Sequence, residues 1–366
     1  MVSMAPISAN LDGRRDAIEE ALEEFVQQRM AGSEAPAMKL ASDILMAGGK
    51  RYRPIIALLA YEAAGGDDTS KVMNLAMAAE IIHTATLVHD DIYDQSKVRR
   101  GKPTLHTSSG LPHAIIAGDY LFALGFGLGG RHDDRVVERV AEACGRIATG
   151  ELQQLEHIGN LATTPEDYYT IVDGKTAFPF ASGCWGAAVI AKAPEATITA
   201  LELFGMEFGR AFQMVDDLLD LTGEPSMGKP RGTDVYDGKM TLPIIHALTM
   251  LHGAEREQLA DVLQNFSDER WEELIEVLNS AESLDYVKQL IENHVERAME
   301  ALETLPRTEA RDMMSELVKI SESRRNWAHA TAPHRLGRHS DRGRSCRQYH
   351  RPLYRRRWGR RSGHRW

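Results

Sequence analysis

Leu87-Val88-His89-Asp90-Asp91-Ile92-Tyr93-Asp94 sets carboxylates at positions i, i+1 and i+4, and Met214-Val215-Asp216-Asp217-Leu218-Leu219-Asp220 repeats the arrangement. On an α-helix, i and i+4 are neighbours, so Asp90 and Asp94 share one face, as do Asp216 and Asp220. The middle Asp of each triplet is turned by about 100° and flanks the same edge. Asp is a poor helix former, and like charges at i,i+4 repel by about a few tenths of a kcal/mol. A chain that does this twice needs a counter-charge. A hard divalent cation such as Mg²⁺, held by one or two carboxylates plus substrate phosphates, supplies one. The flanks are apolar: Ile81, Ile82, Leu87, Val88 and Ile92 around the first triplet, Phe212, Met214, Val215, Leu218 and Leu219 around the second. A merely solvated face would not be set in such surroundings. The triplets read as opposite walls of one metal-lined cavity.

The 366 residues suffice for one large or two average domains, and 43% hydrophobic residues exclude bulk disorder. Cys144, Cys184 and Cys346 match no zinc or redox spacing, which points to a reducing compartment without a disulfide frame. Residues 1–10 lack the basic start and apolar core of a signal peptide. The longest apolar stretch, 177–191, is interrupted by Pro179, Ser182 and Gly183 and reads as a buried helix too short to span a bilayer. The expectation is a cytoplasmic protein with no integral membrane segment. The net charge of −10 conceals 14 Arg and one Asp between Arg324 and Trp366. The preceding body is therefore more acidic than the whole, which argues against nucleic acid as a partner.

The 3.6-residue period recurs from end to end, and alternating β-branched runs are missing, so the fold class expected is all-α. Between the early helices lies Gly48-Gly49-Lys50-Arg51-Tyr52-Arg53-Pro54, two glycines and three cations at a helix junction, a cradle for an anion. His83 precedes Asp90 by two turns on the same face. Directly after the first triplet, Arg99-Arg100-Gly101-Lys102-Pro103-Thr104 offers guanidinium forks that suit phosphate. One long helix is expected over 165–191, with a local break at Asp173-Gly174-Lys175-Thr176-Ala177. The second triplet is preceded by Phe212-Gln213 and followed by a Gly- and Pro-rich loop, 223–238, which carries Lys229 and Asp234 and leads to Lys239. Lysines beside six carboxylates favour a lid over a phosphate. Beyond 322 the sequence loses its apolar period, which divides the chain into a body, 1–322, and a basic tail, 323–366, expected to be disordered or dispensable.

Two acidic triplets and four cationic loops describe a pocket for two phosphorylated ligands. No Walker-type loop is present and no nucleophile or general base stands out, so the chemistry expected is electrostatic. On these residues the chain resembles the trans-isoprenyl diphosphate synthases, the polyprenyl synthetase family. The matching segments are 48–54, His83, 90–94, 99–104, Gly-Glu-Leu-x-Gln-Leu at 150–155, 175–176, 212–220 and 228–243. They run in order over about residues 12–322.

The resemblance implies an isoprenoid-synthase helical bundle around a central cavity, usually a homodimer. It also implies a 1′-4 condensation of isopentenyl diphosphate with an allylic diphosphate in trans geometry. Asp90, Asp91, Asp94, Asp216, Asp217 and Asp220 would bind three Mg²⁺ that hold the allylic diphosphate. Arg99, Lys175, Lys229 and Lys239 would neutralise it as it leaves. Lys50, Arg53, His83 and Arg100 would bind isopentenyl diphosphate, while Gln213 and Thr176 would face the allylic cation.

Short-chain members of that family commonly carry an aromatic side chain four or five positions before the first Asp. Here those positions hold Thr86 and Ala85, with Phe122 or Phe126 as a candidate deeper floor. The product expected is longer than twenty carbons, with a geranylgeranyl or farnesyl diphosphate synthase as the alternative. A terpene-cyclase-type enzyme would not need the second diphosphate grip, and a silent partner subunit would have lost a triplet.

Overall fold

A computed structural model describes residues 4–223 and 232–322. Lys229 and the basic tail lie outside these residues. The chain begins with α1 (Met4–Met30), α2 (Ala35–Leu45), α3 (Tyr52–Ala63) and α4 (Ser70–Tyr93), the last carrying the first triplet at its C-terminal end. α5 (Leu105–Ser108), α6 (Leu111–Gly129), α7 (Asp134–Glu156) and α8 (Pro165–Val172) follow. Then come α9 (Phe178–Ile190) and α10 (Glu195–Thr222), which carries the second triplet. α11 (Thr233–Tyr236), α12 (Leu242–Met250), α13 (Gly253–Gln264), α14 (Trp271–Ser280), α15 (Ser283–Glu303) and α16 (Glu309–Glu322) complete the all-α fold.

Glycines let the long helices approach closely. A Cβ on Gly125 of α6 would lie 2.6 Å from Ile82 of α4, and one on Gly118 would meet the His89 ring. A Cβ on Gly205 of α10 would lie 2.6 Å from the Ala181 backbone of α9. α4 and α10 both pack on α9. Their aliphatic side chains join one large core that includes Ile81, Ile82, Val88, Phe180, Phe204 and Phe208. The triplets thus sit on two helices with α9 between them.

The local break expected at 173–177 in the helix over 165–191 is a π-helical turn, Asp173–Ala177, in which the Phe178 N–H donates to the Asp173 carbonyl five residues back. Among the described residues one helix, α6, is long and apolar enough to cross a membrane by length and composition. Its glycine-bearing face is packed on α4.

Candidate active site

A short hairpin follows α4, pairing Val98 with Pro103 and Arg99 with Lys102. Its two-residue loop, Arg100-Gly101, has φ of 51° and 77°, the left-handed pair that a tight hairpin turn requires. The turn sends adjacent arginines to different places. Arg99 Nε donates to Asp91 Oδ1 at 2.9 Å, whereas Arg100 donates to the Gly48 carbonyl and its guanidinium covers Gly49. A side chain on Gly49 would crowd that guanidinium, so the glycine there leaves room for Arg100. Alternating strand patterns could not reveal a ladder this short.

Of the three cations in the 48–54 segment, one turns inward. Arg51 is buried, with left-handed φ, and its guanidinium is held by Glu19, Glu80 and the Leu45 carbonyl at 2.7–3.1 Å. It anchors the loop. Arg53 lies over the Phe180 ring at 4.8 Å and Lys50 over Tyr52 at 5.8 Å. His83 is held well below the usual imidazole pKa by burial and by the charges of Arg53, Arg100, Arg99 and Arg51, so it is neutral.

The carboxylates are in a setting that resists their charge. Burial, with Glu151 and Asp94 adding to it and Lys175 opposing, pushes Asp90 up to about 6. Burial and the Asp234 charge push Asp217 up to about 7, against hydrogen bonds from Tyr168 at 2.6 Å and Gln213 at 2.9 Å. Lys239 bridges the two sides: its Nζ lies 3.0 Å from Asp94, 3.4 Å from Asp234 and 3.1 Å from Asp237. Asp220 accepts the backbone N–H groups of Thr233 and Asp234 at 3.0 Å, which ties the later part of the 223–238 segment to the second triplet. Asp216 is exposed at the same end of α10.

This donor set fits a hard divalent ion. It is made of carboxylate oxygens, it is short of positive charge, and Lys239 and Arg99 already serve as cationic partners within it. Among the described residues, no three His, Cys, Asp or Glu side chains are drawn into a finished cation cage.

Lys175 and Thr176 come from the π turn. Lys175 pairs with Glu151 and donates to Gln154 at 3.2 Å, which gives a role to the 150–155 segment beyond its resemblance. Thr176 Oγ1 donates to Gln213 Oε1 at 2.9 Å, and Gln213 passes the contact to Asp217. Sequence reading named Asp234 in the loop and quoted the 150–155 segment without giving Glu151 or Gln154 a role, and it missed Tyr168 and Asp237. Asp237 had a signal, its place in the loop leading to Lys239.

A narrow cavity of about 50 Å³ leads from Arg53, His83 and Lys175 along α4 past Thr86, Ile82, Ala79 and Ala78 to Leu75. Val140 and Ile147 of α7 form another side, and its lining residues include no Phe, Tyr or Trp. Thr86 is on this wall. Ala85 is fully buried in the core and is not among the lining residues. Phe122 stacks on His89 at 5.9 Å and Phe126 is exposed, so neither lines the cavity. A larger surface cavity, about 280 Å³, is bounded by Arg29, Glu34, Tyr120 and Arg131 and contains none of the motif residues.

An all-helical bundle that sets two carboxylate triplets and loop cations over an apolar cavity is the isoprenoid-synthase type of fold. The chain belongs to the polyprenyl synthetase family, whose model matches residues 35–279. It is 34% identical to an all-trans-nonaprenyl-diphosphate synthase (geranyl-diphosphate specific) of Rhodobacter capsulatus, over 83% of this chain and 94% of the relative. It is 35% identical to a short chain isoprenyl diphosphate synthase of Methanothermobacter thermautotrophicus, over 76% and 87%. The crystal structure of a Caulobacter crescentus polyprenyl synthase complexed with calcium and isoprenyl diphosphate is similar with a TM-score of 0.79 and 33% identity, covering 86% of this chain and 97% of that one.

Proposed function

We propose that the protein condenses isopentenyl diphosphate with an allylic diphosphate, head to tail and in trans geometry, to give a polyprenyl diphosphate longer than twenty carbons. The observation that carries this reading is that the cations take two different sets of partners. Arg99 and Lys239 pair with Asp91 and Asp94, while Arg100 lies on the Gly48–Gly49 turn and, with Arg53, acts on His83. One polar site would serve a leaving diphosphate and the other a diphosphate that is kept.

In this reading Lys50, Arg53 and Arg100 bind isopentenyl diphosphate, with neutral His83 beside them. Arg99, Lys175 and Lys239, with Lys229, draw charge from the allylic diphosphate as its C1–O bond breaks. Asp90, Asp91, Asp94, Asp216, Asp217 and Asp220 would hold Mg²⁺, three ions by the family resemblance. When bound, Mg²⁺ supplies neutralisation of the leaving diphosphate. Gln213 and Thr176 turn oxygen atoms toward the allylic cation, C4 of isopentenyl diphosphate bonds to its C1, and the departing diphosphate takes the proton. The calcium and isoprenyl diphosphate named for the Caulobacter relative support a metal and a diphosphate here.

The length follows from the wall. Leu75 is eleven residues before Thr86, so the cavity runs along about 16 Å of α4 at about 1.5 Å per residue. Identity is nearly equal to the nonaprenyl and short-chain relatives, so the small side chains at Thr86, Ala79 and Ala78 favour the longer product. Leu111, Ile115, Ile116 and Phe126 leave an exposed apolar face on α6, which suits a homodimer. We place the protein in the cytoplasm, where soluble diphosphate substrates are available, and take the 323–366 tail as dispensable. Purified protein given Mg²⁺, isopentenyl diphosphate and an allylic diphosphate tests the reaction, and loss of product on chelation tests the ion. Activity unaffected by chelation would overturn the metal role.

A further inference from the structure

The π turn that presents Lys175 and Thr176 is wedged between two helices at glycines. A Cβ on Gly174 would lie 2.8 Å from the Arg146 carbonyl of α7, and one on Gly209 would lie 2.5 Å from Ala177 Cα. Backbone therefore meets backbone on both sides. On the α7 side Lys175 pairs with Glu151, and on the α10 side two polar pairs hold the turn. Arg210 grips Asp173 with a two-point fork, Nε to Oδ1 and Nη2 to Oδ2, both at 2.7 Å. Three residues further along each element, Thr176 meets Gln213. The matched spacing fixes the turn against α10 at two points, since residues i and i+3 lie on one helix face.

Arg210 is itself held. Its Nη1 donates to Glu207 at 2.9 Å, Glu207 pairs with buried His294 at 2.6 Å, and the other His294 ring nitrogen meets the Tyr169 hydroxyl at 3.1 Å. Tyr169 also lies beneath the Arg210 guanidinium at 5.7 Å. A half-buried fork braced by the buried Glu207–His294 pair, which joins α10 to α15, is more than a surface contact needs. We propose that Asp173 and Arg210 are positioning residues: they set the register of the π turn and so aim Thr176 and Lys175. This rests on the reading above, in which those two side chains face the allylic substrate.

The test compares Arg210→Gln, Arg210→Lys and Asp173→Asn in the purified full-length chain, with kcat, KM for each substrate and thermal melting measured together. Misplacement of reacting groups by about 1 Å costs on the order of 100-fold in rate. Arg210→Gln and Asp173→Asn should therefore lower kcat by about 10- to 100-fold and leave KM for isopentenyl diphosphate within about twofold. Arg210→Lys should regain melting temperature without regaining kcat, because one ammonium cannot hold both Asp173 oxygens in a fork. If Arg210→Gln does not fold, the isosteric Asp173→Asn decides. Folded variants with kcat near that of the parent, or full recovery of kcat in Arg210→Lys, would overturn the positioning role. Lys175→Met separates the two levels. Lost turnover there with normal turnover in Arg210→Gln overturns the positioning alone, whereas normal turnover in Lys175→Met overturns the reading of the site and the positioning with it.

Discussion

Lys239 Nζ lies 3.0 Å from Asp94 Oδ2, joining residues 145 apart in the chain. Burial opposes its charge, yet Asp234, Asp94 and Asp237 outweigh that and hold its pKa above the usual lysine value. Lys239 thus stays cationic between the segment after the second triplet and the end of the first. Lys239→Gln should lower kcat by about 10- to 1,000-fold while changing KM for isopentenyl diphosphate little, as expected for a charge that acts on the leaving group. Steady-state kinetics with both substrates varied would check it, and a defect confined to KM for isopentenyl diphosphate would reassign the residue.

Arg99 and Arg100 are neighbours in sequence but contact different groups, Asp91 for one and the Gly48 carbonyl for the other. Arg100→Ala should mainly raise KM for isopentenyl diphosphate. Arg99→Ala should act on kcat or on the allylic substrate. The same defect toward both substrates in each variant would mean that the hairpin does not divide the ligands.

Metal and pH should be linked through the raised carboxylates. Asp90 titrates at about 6 and Asp217 at about 7, and the cause of both is burial first. An unfolded Asp titrates near 4, so between about pH 4 and 7 the folded chain keeps protons that the unfolded chain has shed. Stability of the metal-free protein should then fall as pH rises across that window. Mg²⁺ competes with those protons, so it should raise the melting temperature more at about pH 7.5 than at about pH 5. Thermal melts with and without EDTA provide the check, and an equal gain at both pH values would remove these carboxylates from the metal site.

Much of the site was legible because its chemistry is local. Each triplet occupies one helix face, and a 3.6-residue period shows that directly. Cations placed in glycine-rich loops were visible for the same reason. The partners that hold them were not. Glu151 reaches Lys175, and Tyr168 reaches Asp217, through packing of α7, α8 and α10 that no short-range pattern encodes. The π turn left only a hint, Gly174 beside Lys175 in an apolar run, because the extra residue matters only once Gly150 and Gly209 bring the neighbouring backbones close. The family resemblance likewise offered both Thr86 and Ala85 as cavity wall, but one residue on a helix is a turn of about 100°, and of the two it is Thr86 that lines the cavity.

That difference gives a chain-length prediction. Thr86→Phe should place an aromatic ring across the cavity and shorten the product. Ala85→Phe should instead overpack a fully buried site, at a cost of about 1–3 kcal/mol or more in stability. Product chromatography and thermal melts of the two variants distinguish these outcomes. Shortening by Ala85→Phe with unchanged melting, and none by Thr86→Phe, would put the wall on the other face.

Radiolabelled isopentenyl diphosphate, supplied with farnesyl diphosphate and Mg²⁺ to the purified protein, followed by chromatography of the dephosphorylated products, measures reaction and length together. The expected result is Mg²⁺-dependent incorporation into prenyl alcohols longer than twenty carbons, abolished in Asp90→Ala and Asp216→Ala while both variants remain folded. Incorporation that survives those substitutions, or products that stop at twenty carbons or fewer, would contradict it.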